Sequence, residues 1–282
     1  MCLVWGTTYT AIRIALDTIP PFLMAGCRWT AAGALLIAAV SARGQPLPPA
    51  RSWPALALLG VLFLGFGNGA VVWAELTVPS GLAAGLVAAM PFWMVGVEAT
   101  RADRERLPAR HVWGLVVGFI GIVLLVGPQI DLGGRGFLGG VLATQFACLG
   151  WAVGSMYARR RSVHENVLTA AAFEMLFGGL ALLAVGVALG EWMAVAINPR
   201  TGGALLYLIV IGSIVGFSAF AYALKHLPAA TVSLYAYVNP VIAVILGALV
   251  LREPFTVRMA LAAALIFAGV GLVRSPRVSA GS

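Results

Sequence analysis

The sequence predicts an all-α integral membrane protein, with ten transmembrane helices arranged as two five-helix repeats of inverted topology. Three observations carry that expectation. Of 282 residues, 61% are hydrophobic and only 10% charged, whereas a soluble domain carries about 25% charged residues. So few charges cannot cover a water-facing surface of this size. Long apolar windows recur, separated by short Pro-, Gly- and Arg-rich linkers such as GQPLPPARSWP, RADRERLPAR and NPRTGG. The second half also repeats landmarks of the first.

The predicted spans run over 2–16, 21–41, 53–75, 80–100, 109–127, 136–158, 166–189, 202–224, 229–251 and 256–274. A crossing needs roughly 20 apolar residues, so ten crossings leave no room for a soluble catalytic domain. The first span falls short, with about 15 residues before Asp17. No basic segment precedes it as in a cleavable signal. The expectation is a natural start about ten residues earlier, at the usual span length. Gly114 with Gly118, and Gly136 with Gly140, space small residues for close helix packing. Cys2, Cys27 and Cys148 lie in apolar stretches without metal or disulfide spacing, and read as buried thiols.

The net charge is +8. In a membrane protein, basic residues are first a topology signal rather than a nucleic-acid footprint. The side of the N-terminus would carry Arg43, Arg51, Arg101, Arg104, Arg106, Arg110, Arg159, Arg160, Arg161, Lys225, Arg274 and Arg277. The other side would carry only Arg135, Arg200, Arg252 and Arg258. Both termini are therefore expected in the cytoplasm, with the chain in a bacterial-type inner membrane.

The repeat rests on tryptophan, proline, glycine and charged residues. At a shift of 146, Trp5 meets Trp151, Arg13 meets Arg159 and Gly33 meets Gly179. At 149, Gly67 meets Gly216, Trp73 meets Tyr222, Pro79 meets Pro228 and Pro91 meets Pro240. At 148, Glu105 meets Glu253, Arg110 meets Arg258 and Gly121 meets Gly269. The repeats would occupy 1–127 and 136–274. Five spans is an odd number, so the second half enters the bilayer from the opposite side. Inverted pairs of this kind build many secondary transporters, with the cargo site near the midplane.

These residues give the chain a resemblance to the drug/metabolite transporter superfamily with two EamA-type repeats. They are Trp5-Gly6-Thr7, Arg28, the run from Leu76 through Pro79 to Pro91, and Ala223-Leu224-Lys225-His226-Leu227-Pro228. Asn239-Pro240 and Leu251-Arg252-Glu253-Pro254 complete the pattern. Within the superfamily the chain is most similar to the YddG-like exporters of aromatic and other amino acids. The resemblance implies export of small metabolites by alternating access.

Polar and aromatic groups at membrane depth are the candidates for lining a path, because each is costly against lipid. They are Trp5, Tyr9, Asn68, Trp73, Trp93, Trp151, Ser155, Tyr222, Tyr235, Tyr237 and Asn239. Aromatic faces can stack on a flat cargo or hold an ammonium group. Trp53, Trp113 and Trp192 read instead as interfacial anchors. Pro91 and Pro240 interrupt helical bonding and are hinge candidates, together with Gly67 and Gly216. Arg28 and Glu174 are buried charges at matching places in spans two and seven. They would form either an ion pair or two polar ends of one cavity, and Arg28 would also serve as counter-ion to a carboxylate cargo. Arg13 is expected to snorkel to the interface.

No phosphate-binding loop or metal set is present, so no cofactor is expected. Glu174 reads as the only deep carboxylate, with Glu75 and Glu98 near span ends. Gradient-driven export is therefore favoured over proton antiport. The expected partners are a small-molecule substrate and the lipid bilayer, with no nucleic acid; the sequence leaves the oligomeric state open and is compatible with a monomer. The competing transport reading is a multidrug or toxic-cation exporter with proton antiport. An enzyme would need an acid–base or nucleophile cluster, and a channel a charged ring or filter; neither pattern is visible.

Overall fold

The computed structural model describes residues 1–100, 109–160, 166–227, 232, 235–252 and 256–274. Regular structure among the described residues is entirely helical. The helices are α1 (Cys2–Ala15), α2 (Pro21–Ala42), α3 (Ala50–Ala74), α4 (Ser80–Val87) and α5 (Met90–Ala99). They continue with α6 (Ala109–Arg160), α7 (Val167–Ala188), α8 (Pro199–His226), α9 (Tyr235–Leu251) and α10 (Val257–Arg274). Six segments among the described residues are long and apolar enough to cross a bilayer, within α2, α3, α4–α5, α6, α7 and α8. Shorter apolar helices lie at Val112–Gly121, Ile242–Leu251 and Val257–Gly269.

Local sequence explains the helix ends. Pro21 and Pro199 stand in the first turns of α2 and α8, where a missing N–H costs nothing. The segment NPRTGG, expected as a linker, is the start of α8. Asn198 accepts from the backbone N–H groups of Arg200 and Thr201 at 3.0 Å, and the Asn198 N–H donates to the Thr201 hydroxyl at 3.2 Å. Gly44 and Gly190, 146 positions apart, follow α2 and α7 in the left-handed conformation, at φ of 66° and 74°.

Two helices share an unusual winding. Residues Val61–Asn68 of α3 and Leu208–Val215 of α8 each form a π-helical stretch of eight residues, displaced by 147 positions. A widened turn of this type is unusual and tends to mark a working part of a membrane helix.

Helices α2 and α7 form a close seam between the halves. A Cβ added at Gly186 would sit 2.9 Å from the Leu23 nitrogen, one at Gly26 2.6 Å from the Leu183 nitrogen, and one at Gly33 2.5 Å from the Leu176 nitrogen. As the position rises in one helix it falls in the other, so the two run antiparallel. Lipid tails offer no drive to bury apolar side chains against each other, and backbone proximity through small residues supplies the attraction instead.

Two differences from the predicted organisation stand out. The break expected at 128–135 is helical, so the fifth and sixth predicted spans join in α6. Its 52 residues would extend about 78 Å, far beyond one crossing, and its apolar parts remain separate at Val112–Gly121 and Gly136–Arg159. Gly and Pro at 127–128 weaken a helix without forbidding one, because neighbouring groups can re-satisfy the freed backbone of a membrane helix. The fourth span is interrupted two residues before Pro91, at Ala88–Ala89, and Pro91 is the second residue of the new helix α5. Pro240, its repeat counterpart, lies inside α9, which continues through it.

The seam makes a direct test available. Replacing Gly33 by Ala drives a methyl into the α7 backbone, and overpacking of this kind costs about 1–3 kcal/mol. The expected outcome is a clear drop in thermal midpoint for purified Gly33→Ala. Gly203→Ala, where nothing lies within 4 Å, should hold or raise it.

Candidate functional site

Near the middle of the bundle lies a cavity of about 60 Å³, room for only a few waters. Its wall includes Trp5, Thr8, Tyr9 and Ile12 of α1, Arg28 and Trp29 of α2, and Gly67, Asn68 and Val71 of α3. Val87, Met90, Ala147, Cys148, Trp151, Tyr235 and Asn239 close it. Six of the sequence-predicted lining residues thus come together: Trp5, Tyr9, Asn68, Trp151, Tyr235 and Asn239.

Trp5 and Trp151, paired by the 146 shift in the sequence, meet edge to face with ring centroids 5.5 Å apart. Each indole lies on a glycine of the opposite half. A Cβ at Gly216 would come within 2.5 Å of the Trp5 Nε1, and one at Gly67 would collide with the Trp151 indole. Gly67 and Gly216 therefore act here as seats for the two rings. Trp5 Nε1 donates to the Gly212 carbonyl at 3.1 Å, inside the π-helical stretch of α8.

Two larger cavities lie beyond. One, of about 490 Å³, is lined by Arg159, Glu174, Lys225, His226 and Leu227 among others. The second, of about 480 Å³, is lined by Arg13, Asp17, Leu76, Thr77, Val78, Pro79, Arg200 and Arg252 among others. Arg13 corresponds to Arg159 at the 146 shift, and Leu76–Val78 correspond to Lys225–Leu227 at the 149 shift. The two vestibules are of nearly equal size and are lined by residues at matching sequence shifts. A wall of rings stands between the central cavity and the vestibule of Arg159. Phe220 packs 4.8 Å from Trp151 and 5.4 Å from Trp5, and Phe63 packs 4.9 Å from Trp151 and 5.7 Å from Phe220.

Polar groups are held firmly. Arg28 is 1% exposed. Its Nε donates to the Ser213 hydroxyl at 2.7 Å, and its guanidinium lies 4.4 Å over the Trp29 ring. Trp29 Nε1 in turn donates to Asn68 Oδ1 at 2.7 Å. Arg13, expected to snorkel, donates from Nη1 to the Glu75 carbonyl at 2.5 Å and borders a vestibule.

The two buried charges are divided between cavities. Arg28 faces the centre, whereas Glu174 borders the vestibule of Arg159 and Lys225. Glu75 stands at the end of α3, where it was expected, but its burial was not. It is 0% exposed, against 8% for Glu174, and acts electrostatically on both Tyr9 and Arg28.

Other predicted lining residues stand apart from the centre. Trp73 is 39% and Tyr222 60% exposed, and the Tyr222 ring stacks on His226 at 4.1 Å. Trp93 is half-buried and donates to Gln145 Oε1 at 3.0 Å. Ser155 is buried without bordering the cavity. The side chain of Tyr237 lies outside the described residues. Sequence reading missed Trp29 and Ser213, and named Glu75 only as a carboxylate near a span end. Adjacency to Arg28 was the available signal for Trp29.

Comparison with known proteins identifies the family of the chain. The profile of the EamA-like transporter family matches residues 1–127 and 138–275. The chain is 37% identical over 251 residues to the uncharacterized inner membrane transporter YedA of Escherichia coli strain K12, covering 87% of this chain and 78% of that protein. It is 24% identical over 275 residues to the uncharacterized transporter YvbV of Bacillus subtilis, covering 98% and 89% respectively. It is 27% identical over 272 residues to protein PecM of Dickeya dadantii, covering 96% and 89%. One crystal structure shares the fold at a TM-score of 0.68 and 24% identity, over 97% of this chain and 94% of that one.

The ring wall predicts a change in access. Cys148 is buried and borders the central cavity. In a background with Cys2 and Cys27 replaced by Ser, Cys148 should react slowly with a water-soluble maleimide. Phe220→Ala should raise that rate severalfold in liposomes; an unchanged rate would mean that Phe220 does not seal the cavity.

Proposed function

The chain belongs to the EamA-like transporter family of multi-pass membrane proteins, and from that premise we propose a secondary exporter of amino acids and similar small amphipathic metabolites. Two inverted five-helix repeats, 1–127 and 136–274, would expose the central site alternately to each side. The carrying observation is the position of Trp5 and Trp151. They sit at counterpart places on one small cavity, between two counterpart vestibules. The antiparallel run of α2 against α7 supports the inversion, because same-way repeats would bring these helices together in parallel. Two separate matches to one family profile support the division of the chain.

The halves are not in the same state. The fourth span breaks before Pro91, whereas α9 runs through Pro240. A pair of repeats that exchange conformations makes the mirror arrangement nearly equal in energy, with Pro91 and Pro240 as the hinges. Ten crossings also require the chain to turn within 128–135, and in this respect the proposal departs from the helix observed there. One chain supplies both halves, so a monomer suffices. The arginine distribution supports both termini in the cytoplasm, and the likeness to the inner membrane transporter YedA supports that membrane.

A specific observation favours a second reading, coupling to protons. Glu75 is a fully buried carboxylate acting on two residues of the central cavity, so its protonation and the occupancy of the site would be linked.

Purified protein in liposomes preloaded with unlabelled phenylalanine should accumulate labelled phenylalanine by counterflow. Uptake indifferent to preloading would indicate a channel and overturn the carrier reading. Trp5→Ala or Trp151→Ala should reduce aromatic uptake about fivefold, equivalent to about 1 kcal/mol of lost ring contact. For the proton reading, Glu75→Gln should preserve counterflow while abolishing acceleration by a pH gradient. Acceleration retained in Glu75→Gln would remove Glu75 from coupling.

A further inference from the structure

We propose that Arg28 is the receptor for a carboxylate carried by the cargo, so that the central site selects amino acids and other organic monocarboxylates over amines and quaternary cations. The inference rests on the carrier reading above and names the chemical class that its site takes.

The argument begins with the cost of the residue. An arginine 1% exposed at membrane depth cannot reach the interface, and a buried cation persists only where it is bonded and balanced. Much of that bonding is visible and comes from separate helices. The Ser213 hydroxyl of α8 accepts a hydrogen bond from the Arg28 Nε–H at 2.7 Å, and Trp29 of α2 lies beneath the guanidinium at 4.4 Å. Asn68 of α3 holds Trp29 in turn through its indole N–H at 2.7 Å. These contacts fix the plane of the fork. They leave Nη1, which is buried and has no hydrogen-bond partner among the described residues, on a side chain that borders the cavity.

A rigid guanidinium with a spare donor matches the paired oxygens of a carboxylate. Glu75 is the carboxylate that acts on Arg28, yet it is not part of the cavity wall. On the cavity side the positive charge therefore faces rings and neutral polar groups. Tyr9, Tyr235 and Asn239 line the same space, which gives the remainder of an amino acid an aromatic and polar surrounding. A lipophilic cation would meet the guanidinium with like charge and gain nothing from it.

The test compares L-phenylalanine and benzoate with L-phenylalaninamide, benzamide and phenethylamine. Thermal stabilisation of the purified full chain is read first, and counterflow in liposomes second. The carboxylates should raise the midpoint of the wild type, and the amides and the amine should not. Arg28→Gln should lose the preference, and Arg28→Lys should keep part of it. Should Arg28→Gln fail to fold, Ser213→Ala keeps the charge but frees the fork, and should weaken the preference without abolishing it. Equal stabilisation by acid and amide, no stabilisation by any compound, or a preference surviving in Arg28→Gln would each overturn the assignment. Counterflow that ignores the carboxyl group would overturn this inference and leave the carrier reading standing. Carboxylate-selective stabilisation without counterflow would do the reverse.

Discussion

Close backbone contact between α2 and α7 is the constraint on which the other features depend. Glycines on both helices remove the side chains that would hold the halves apart, and the helices meet almost main chain to main chain. In lipid this is how two apolar surfaces gain attraction, since transfer from water contributes nothing between them. The contacts that cross from the first half to α8 follow from that approach. Trp5 reaches the Gly212 carbonyl, Arg28 reaches Ser213, and the hydroxyls of Thr7 and Tyr207 lie 2.5 Å apart. A seam widened by a single methyl would stretch all three.

The widened turns of α3 and α8 fit the same picture. A π-helical stretch shifts the bonding register from i→i+4 to i→i+5, so a carbonyl at its margin loses its usual partner, which in hydrocarbon is tolerable only where another donor arrives. The Trp5 indole is such a donor for Gly212. Tryptophan, glycine and π-helical winding thus form one device, and the ring–glycine half of it recurs where Trp151 lies on Gly67. The device couples the shape of α8 to the position of an indole in the cavity, so that movement of one requires movement of the other.

The helix positions and the paired tryptophans were legible because both leave marks in one dimension. Apolar runs give spans, and Trp5 and Trp151 stand at one shift. Facing was not legible. Trp73 and Tyr222 obey the repeat equally well, yet both point outward, because a helix apolar on all sides gives no stripe from which to read its inner face. Glu75 was misjudged for a related reason: distance from a span end measures depth along one helix, whereas burial depends on which neighbours cover it. Phe63 and Phe220 were invisible as a wall, being apolar residues among apolar residues. The continuity of α6 escaped notice because Gly and Pro signal a break in water more reliably than in a membrane helix.

The tryptophans give the molecule an optical readout of its own centre. Three of the eight, Trp5, Trp29 and Trp151, border the cavity, while Trp53, Trp73, Trp113 and Trp192 are exposed at the periphery. Aqueous or lipid-soluble quenchers would silence the outer group first. The emission that survives comes chiefly from the interior, where a neighbouring ring or charge alters both its colour and its lifetime. Filling of the central space is therefore written into the native fluorescence, without any attached dye.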